Sequence, residues 1–246
     1  MNPTMPARRM LLPLVAALVG ACAQSGRAPD PAAAVPVAAT AAPIALGKGL
    51  AVDRAAGEVR MECQVAIEHG WLEQAVCLAG TREHESLLAT EVVPSRLHAA
   101  LLVLGLQPGA PGSWREVPKG DSFGVERVPP RGPRVDLLVR VAGRPDVPLD
   151  RWIHDPVANR DFPAQPWVFG GSLMRPNRPP EPGEHYMADR TGSVVGIVTF
   201  GDEVIGCADV FADRTEIDAA SWQARAGAIP PTGTPAVLVI RVHRDR

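Results

Sequence analysis

With 246 residues, 46% of them hydrophobic, the chain is long enough to bury a substantial core, which excludes an intrinsically disordered protein. Its 25 Lys and Arg against 27 Asp and Glu leave a formal charge of −2, and no basic run exceeds two residues, which excludes a nucleic-acid binder held by phosphate contacts. Lys48 and Lys119 are the only lysines, so arginine carries nearly all the positive charge.

Met1 to Ala21 has the three parts of an export signal: a basic start (Arg8, Arg9), an apolar run from Met10 to Val19, and small Gly20 and Ala21 before Cys22. The run is too short to span a bilayer. Leu18-Val19-Gly20-Ala21-Cys22 resembles the lipobox of bacterial lipoproteins, which implies cleavage before Cys22 and a diacylglyceryl anchor, with fatty chains such as palmitate, on its thiol. Ala23 rather than aspartate follows, which in the resembled sorting system favours the outer membrane, with the protein facing the periplasm. Residues 22–48 are rich in Ala and Pro, cannot offset their ordering entropy by burial, and are expected to form a disordered tether. Residues 49–246 are then a single folded domain.

Within it, Val59, Met61, Cys63, Val65 and Ile67 alternate with polar residues, as in a strand with one buried face. His69-Gly70 interrupts, Trp71 to Ala79 reads as a second strand, and the two suggest a hairpin. His84 to Val93 is a third strand. Pro94 and Ser95 open a helix, Ser95 as its capping residue, with Leu97, Ala100, Leu101 and Leu104 at helical spacing and Gly105 at its end. Residues 107–133 are expected to be mostly loop, with one short strand near Trp114. Strands follow over 134–142, 147–153, 166–169, 193–200, 204–209 and 235–243, with an irregular Pro-rich segment over 175–183 and a short helix over 218–225. The pattern predicts an α+β fold, a mainly antiparallel, sandwich-like sheet with one well-defined helix near 95–105.

His84-Glu85-Ser86-Leu87-Leu88 and Leu97-His98-Ala99-Ala100-Leu101, with Gly105 and Pro108-Gly109, resemble the opening half of the YdjY-domain family. Trp152-Ile153, Pro166-Trp167-Val168-Phe169-Gly170-Gly171-Ser172 and Ile229-Pro230-Pro231 resemble its later half, so the resemblance covers Gly49 to about Val242. It carries no assigned activity or catalytic set. Some relatives are labelled ferredoxin-type, but Cys63, Cys77 and Cys207 form no closely spaced group, so an iron–sulfur cluster is not supported and no cofactor is expected.

Three groups of residues carry possible chemistry. His84, Glu85 and His98 supply donors sufficient for zinc if the strand and helix pack together, or else a hydrogen-bonded network anchoring that corner. His154-Asp155 and His185 to Asp189 pair imidazoles with carboxylates but lie beside loops. Trp167, Phe169 and Ser172 outline an aromatic-walled pocket whose glycines let backbone approach a ligand. Cys63 and Cys77 flank the expected hairpin turn, which predicts a disulfide in an oxidising compartment and leaves Cys207 free. The chain is thus expected to be a lipid-anchored envelope module that touches the membrane through its lipid and binds an envelope protein or a small molecule. The alternative is a metal-dependent envelope enzyme using His84, Glu85 and His98.

Overall fold

The computed structural model describes residues 42–120, 122–213, 217 and 222–244, and period-2 alternation is clearest in the long strands over 58–65, 134–140 and 235–242. Cys22, the leader and most of the tether lie outside those residues. In chain order the strands are β1 (Ile44–Ala45), β2 (Leu50–Asp53), β3 (Glu58–Val65), β4 (Gln74–Leu78) and β5 (Ser86–Thr90), followed by helix α1 (Pro94–Val103). Next come β6 (Ser113–Lys119), β7 (Ser122–Val128), β8 (Arg134–Arg140), β9 (Val147–Pro148), β10 (Ile153–Asp155), β11 (Arg160–Asp161), β12 (Trp167–Phe169), β13 (Met174–Pro176) and β14 (Glu184–Tyr186). Helix α2 (Met187–Thr191) and strands β15 (Ser193–Gly196), β16 (Ile205–Gly206), β17 (Gln223–Ala224) and β18 (Pro235–Val242) complete the set.

The eight-residue β18 lies antiparallel between β3 and β8, with Leu238 beside both Met61 and Val139 and Ile240 beside both Val59 and Leu137. Alternate residues of all three strands therefore share one buried face. The ladder continues through β12, β16, β15, β4 and β5, and β5 returns to β3 at Gln64↔Ala89 and Val65↔Leu88. The sheet thus closes as an eight-stranded barrel, with β1, β2 and β9 attached outside the ring. Contacts β4–β5 and β15–β16 are parallel; the other contacts around the ring are antiparallel. Phe169, Trp167, Ile205 and Val195 join the inner residues of β3, β8 and β18 in one core, as a barrel of this size requires, since its interior is just wide enough to be filled by side chains.

This overturns the expected sandwich-like α+β architecture: the fold is mostly β and its main sheet is closed. Alternation reports that one face of a strand is buried, but is silent on whether a second sheet or the far wall of the same sheet covers it. The expected hairpin of residues 59–67 with 71–79 was the misleading element, because β4 pairs with β5 and β15 rather than with β3.

Helix α1 follows the sequence closely at its end. Gly105 adopts φ +99°, its N–H donates to Leu102 O at 2.9 Å, and the Leu106 N–H donates to Leu101 O at 3.0 Å, the paired bonds of a Schellman stop. At its start Pro94 occupies the first turn, but Ser95 does not cap it. The Ser95 backbone N–H instead donates to Asp189 Oδ1 of α2 at 2.7 Å, a cap supplied from 94 residues away.

Other segments differ locally. Residues 113–128 form a full hairpin, β6 with β7, rather than mostly loop; few of its side chains are buried, so no apolar alternation announces it. The indole N–H of Trp114 ties its base to Thr199 O at 3.1 Å. His84 lies in a 3-10 turn over Glu83–Glu85, ahead of the strand that begins at Ser86. Ile44 and Ala45, in the segment that composition assigns to the tether, pair with Val52 and Ala51. Of the helix expected over 218–225, residues 218–221 lie outside the described residues, and Gln223–Ala224 are strand.

The strand order also removes the expected disulfide. Cys63 and Cys77 are free and buried, with β5 between their strands. Register puts Cys77 beside Ala89 and Ala89 beside Gln64, so Cys77 shares the face of Gln64, whereas Cys63 points to the other. Two strand spacings amount to roughly 10 Å, beyond the reach of a bridge. Burial pushes the thiols of Cys63 and Cys207 up to about 12 and raises that of Cys77, so all three stay protonated near neutral pH. Alkylation in denaturant without reductant should label Cys63, Cys77 and Cys207 alike, with little labelling under native conditions. Intact mass distinguishes this from the single label that a 63–77 disulfide would leave.

Candidate functional site

Helix α1 carries two stripes. Leu97, Ala100 and Leu101 enter the core, while Ser95, His98, Ala99 and Leu102 recur at helical spacing and face a cleft. Pro108, Gly109, Gly170, Gly171, Ser172, Met174 and Tyr186 form the other wall, and the cleft encloses about 600 Å³.

The far wall exists because β12 ends in two glycines. A Cβ on Gly170 would lie 2.8 Å from Pro111 Cα. At Gly171, φ is +90° and a Cβ would lie 2.5 Å from Pro108 Cβ and 3.2 Å from His98 Cε1, so any side chain there is strained and intrudes between the walls. Ser172 continues the turn at φ 57°. Its hydroxyl donates to Asp202 O and accepts the Ala188 N–H at 3.1 Å, so its one proton is spent on the loop behind the cleft and one lone pair on α2.

His98 is the chemical centre of the cleft. Nδ1 lies 2.8 Å from Tyr186 Oη and 3.2 Å from Gly171 O, and Tyr186 Oη donates to Gly171 O at 2.8 Å. The phenol has one proton and gives it to the carbonyl, so Nδ1 must carry the proton that reaches Tyr186 Oη. The reverse tautomer would set the Nδ1 lone pair against the Gly171 carbonyl oxygen. Nε2 is therefore unprotonated, and it has no hydrogen bond among the described residues. Burial lowers the imidazole pKa, against the opposing hydrogen bond to Gly171, and so keeps His98 neutral; burial likewise raises the phenol of Tyr186. Phe169 and Tyr186 meet the imidazole in T-shaped contacts at centroid distances of 5.1 and 5.6 Å, fixing its plane.

His84 and Glu85 do not join this site. His84 is 78% exposed beside Glu85, with Nε2 and Oε2 3.7 Å apart, whereas His98 contacts Gly171 and Tyr186. Among the described residues no three His, Cys, Asp or Glu side chains are grouped to hold a metal. Glu85 belongs to another cluster with Arg82 and Glu73; burial first and Glu85 second push Glu73 up to about 7. Asp155 is buried, accepts the N–H groups of Val157 and Ala158 and pairs with Arg160, a turn-holding role, while His154 meets Gln223 O. His185 meets Asn177 Oδ1 at 2.7 Å in the β13–β14 hairpin.

The outlined aromatic pocket divides. Trp167 lies in the core, stacked on Phe162 at 5.7 Å, while Phe169 and Ser172 reach the His98 cleft from behind. Ser95 was read from the sequence only as a helix cap, and Leu102, Met174 and Tyr186 were not singled out at all. Leu102, four residues from His98 and outside the buried stripe, was the available signal; nothing in the sequence announces Tyr186, the sole tyrosine.

A family model described as the YdjY domain matches residues 50–241. No curated protein and no solved structure gives a significant match.

Behind the wall, Glu203 is 2% exposed; its Oε2 accepts the Gly201 and Asp202 N–H groups and its backbone oxygen accepts the Ser172 N–H. Burial pushes its carboxyl up to about 7 from 4.5. An acid raised in the folded state makes that state the better proton binder, so stability is present below pH 4.5 and is lost as pH rises to about 7, by up to about 3 kcal/mol. Glu73 adds to the loss in the same window. Melting temperature against pH should therefore fall across this range in the wild type and less steeply in Glu203→Gln; equal slopes would refute the assignment.

Proposed function

Since the chain belongs to the YdjY-domain family through residues 50–241, a match that names no reaction, we propose that it is a lipid-anchored envelope module binding a small ligand in the His98 cleft. The observation that carries this reading is the unprotonated Nε2 of a half-buried, rigidly held imidazole, without a hydrogen bond among the described residues, in a cleft of about 600 Å³. That size falls in the range of small-molecule sites, and mostly apolar walls with a few placed polar atoms are their usual composition. Binding is favoured over catalysis because the two wall hydroxyls held near His98, those of Ser172 and Tyr186, each give their proton to a backbone carbonyl, of Asp202 and of Gly171. The donors of the metal-enzyme alternative, His84 and His98, are not grouped.

The anchor is read from the leader and the Leu18-Val19-Gly20-Ala21-Cys22 box, and Ala23 after the cysteine favours the outer membrane, with the module facing the periplasm. Cys22→Ser should abolish diacylglyceryl transfer and the cleavage that depends on it, leaving the full leader in the intact mass. Processing of that variant before residue 22, with an unlipidated wild type, would refute the anchor. For the cleft, the neutral dye Nile red should gain fluorescence with wild type and lose most of the gain in Ala99→Trp, an exposed position where the indole fills the space without entering the core. An unchanged gain at equal melting temperature would refute the site.

A further inference from the structure

On the reading that the His98 cleft is the binding site, we infer that its ligand is a neutral, largely apolar molecule carrying a hydroxyl or N–H group, which it donates to His98 Nε2. The hydrogen-bond direction follows from the wall. His98 Nδ1–H is used on Tyr186 Oη, and the Tyr186 proton is used on Gly171 O, so neither donor is available to a ligand. The imidazole offers the cleft only a lone pair, and an acceptor buried against a ligand without a donor is penalised. The Ser95 hydroxyl, three residues before His98 on the same stripe and without a hydrogen bond among the described residues, can donate or accept and so adapts to a second polar group.

Charge selects as well. Among the described residues no Lys or Arg lines the cleft, so an anionic ligand finds no counter-charge. The start of α1 would otherwise attract an anion, but its Ser95 N–H is already taken by the Asp189 carboxylate, whose charge opposes a carboxylate or phosphate entering there. The remaining contacts are Leu102, Pro108, Met174 and Ala99, and the pliable Met174 can fit its thioether to an aromatic or alicyclic body.

The test is a matched set of probes titrated onto the mature chain at neutral pH and followed by amide NMR shifts at Ala99 and Leu102: 4-phenylphenol, its methyl ether, and biphenyl-4-carboxylate. The phenol should bind about fivefold more tightly than the ether, the worth of one hydrogen bond, and the carboxylate more weakly than either. His98→Phe should retain the ether and erase the preference. Tyr186→Phe, which removes one of the two acceptors of the Nδ1 proton and leaves Gly171 O, should reduce the preference without erasing it and without loss of folding. Equal binding of phenol and ether in the cleft, or tightest binding of the carboxylate, would overturn the ligand class while leaving the cleft as a binding site. No shift at Ala99 or Leu102 with any of the three would overturn both.

Discussion

Two residue pairs, Gln64↔Ala89 and Val65↔Leu88, join the last strand of the ring to the first. Without them the sheet would be an open ladder ending at β5, with the inner faces of β4 and β5 short of a covering wall. With them the buried face turns inward on itself, and Met61, Leu88, Phe169, Ile205 and Leu238 meet in a single core. β3 makes this possible by dividing its length: its first half pairs with β2 and its last residues with β5. Because α1 begins shortly after β5, closure also fixes where the helix starts, and burial of Leu97, Ala100 and Leu101 fixes its rotation. The second stripe, with His98, is thereby turned toward the end of β12.

The cleft is the residue of these constraints. Its far wall is backbone-rich because Gly170 and Gly171 must pass within contact of Pro108 and Pro111, and it is held from behind by Ser172, Glu203 and the Asp202 carbonyl. Asp189 links α2 to the start of α1 and so ties the two walls together. Nearly every polar group around the cleft is already satisfied by another part of the fold, which is why the few that are not, above all His98 Nε2, define what the site can recognise.

Much of this was legible in residues whose signal is local. The end of α1 at Gly105, its Leu97–Leu101 stripe and the strands around Val59, Leu137 and Leu238 depend on periodicity and turn chemistry within a few positions. Pairing is not local. His69-Gly70 has the composition of a hairpin turn, yet β4 runs parallel to β5, and so the 63–77 disulfide and the sandwich failed together, while the His84–His98 cluster failed because His84 sits in an exposed turn ahead of β5 and His98 turns to Gly171 and Tyr186. The β6–β7 hairpin was hidden for a different reason: with both faces largely solvated it buries too little to show alternation. Gly170-Gly171-Ser172 was readable as a place of close backbone approach, but Tyr186 enters only through tertiary contact across 88 residues of chain.

The account turns on the proton of His98, which nitrogen-15 NMR of the imidazole reads directly. At neutral pH the structure predicts a neutral ring with a pyrrole-type, protonated Nδ1 and a pyridine-type, unprotonated Nε2, a preference that Tyr186→Phe should weaken but not abolish, because Gly171 O still accepts from Nδ1. A proton on Nε2, or a ring charged at neutral pH, would make the cleft a donor rather than an acceptor and contradict it.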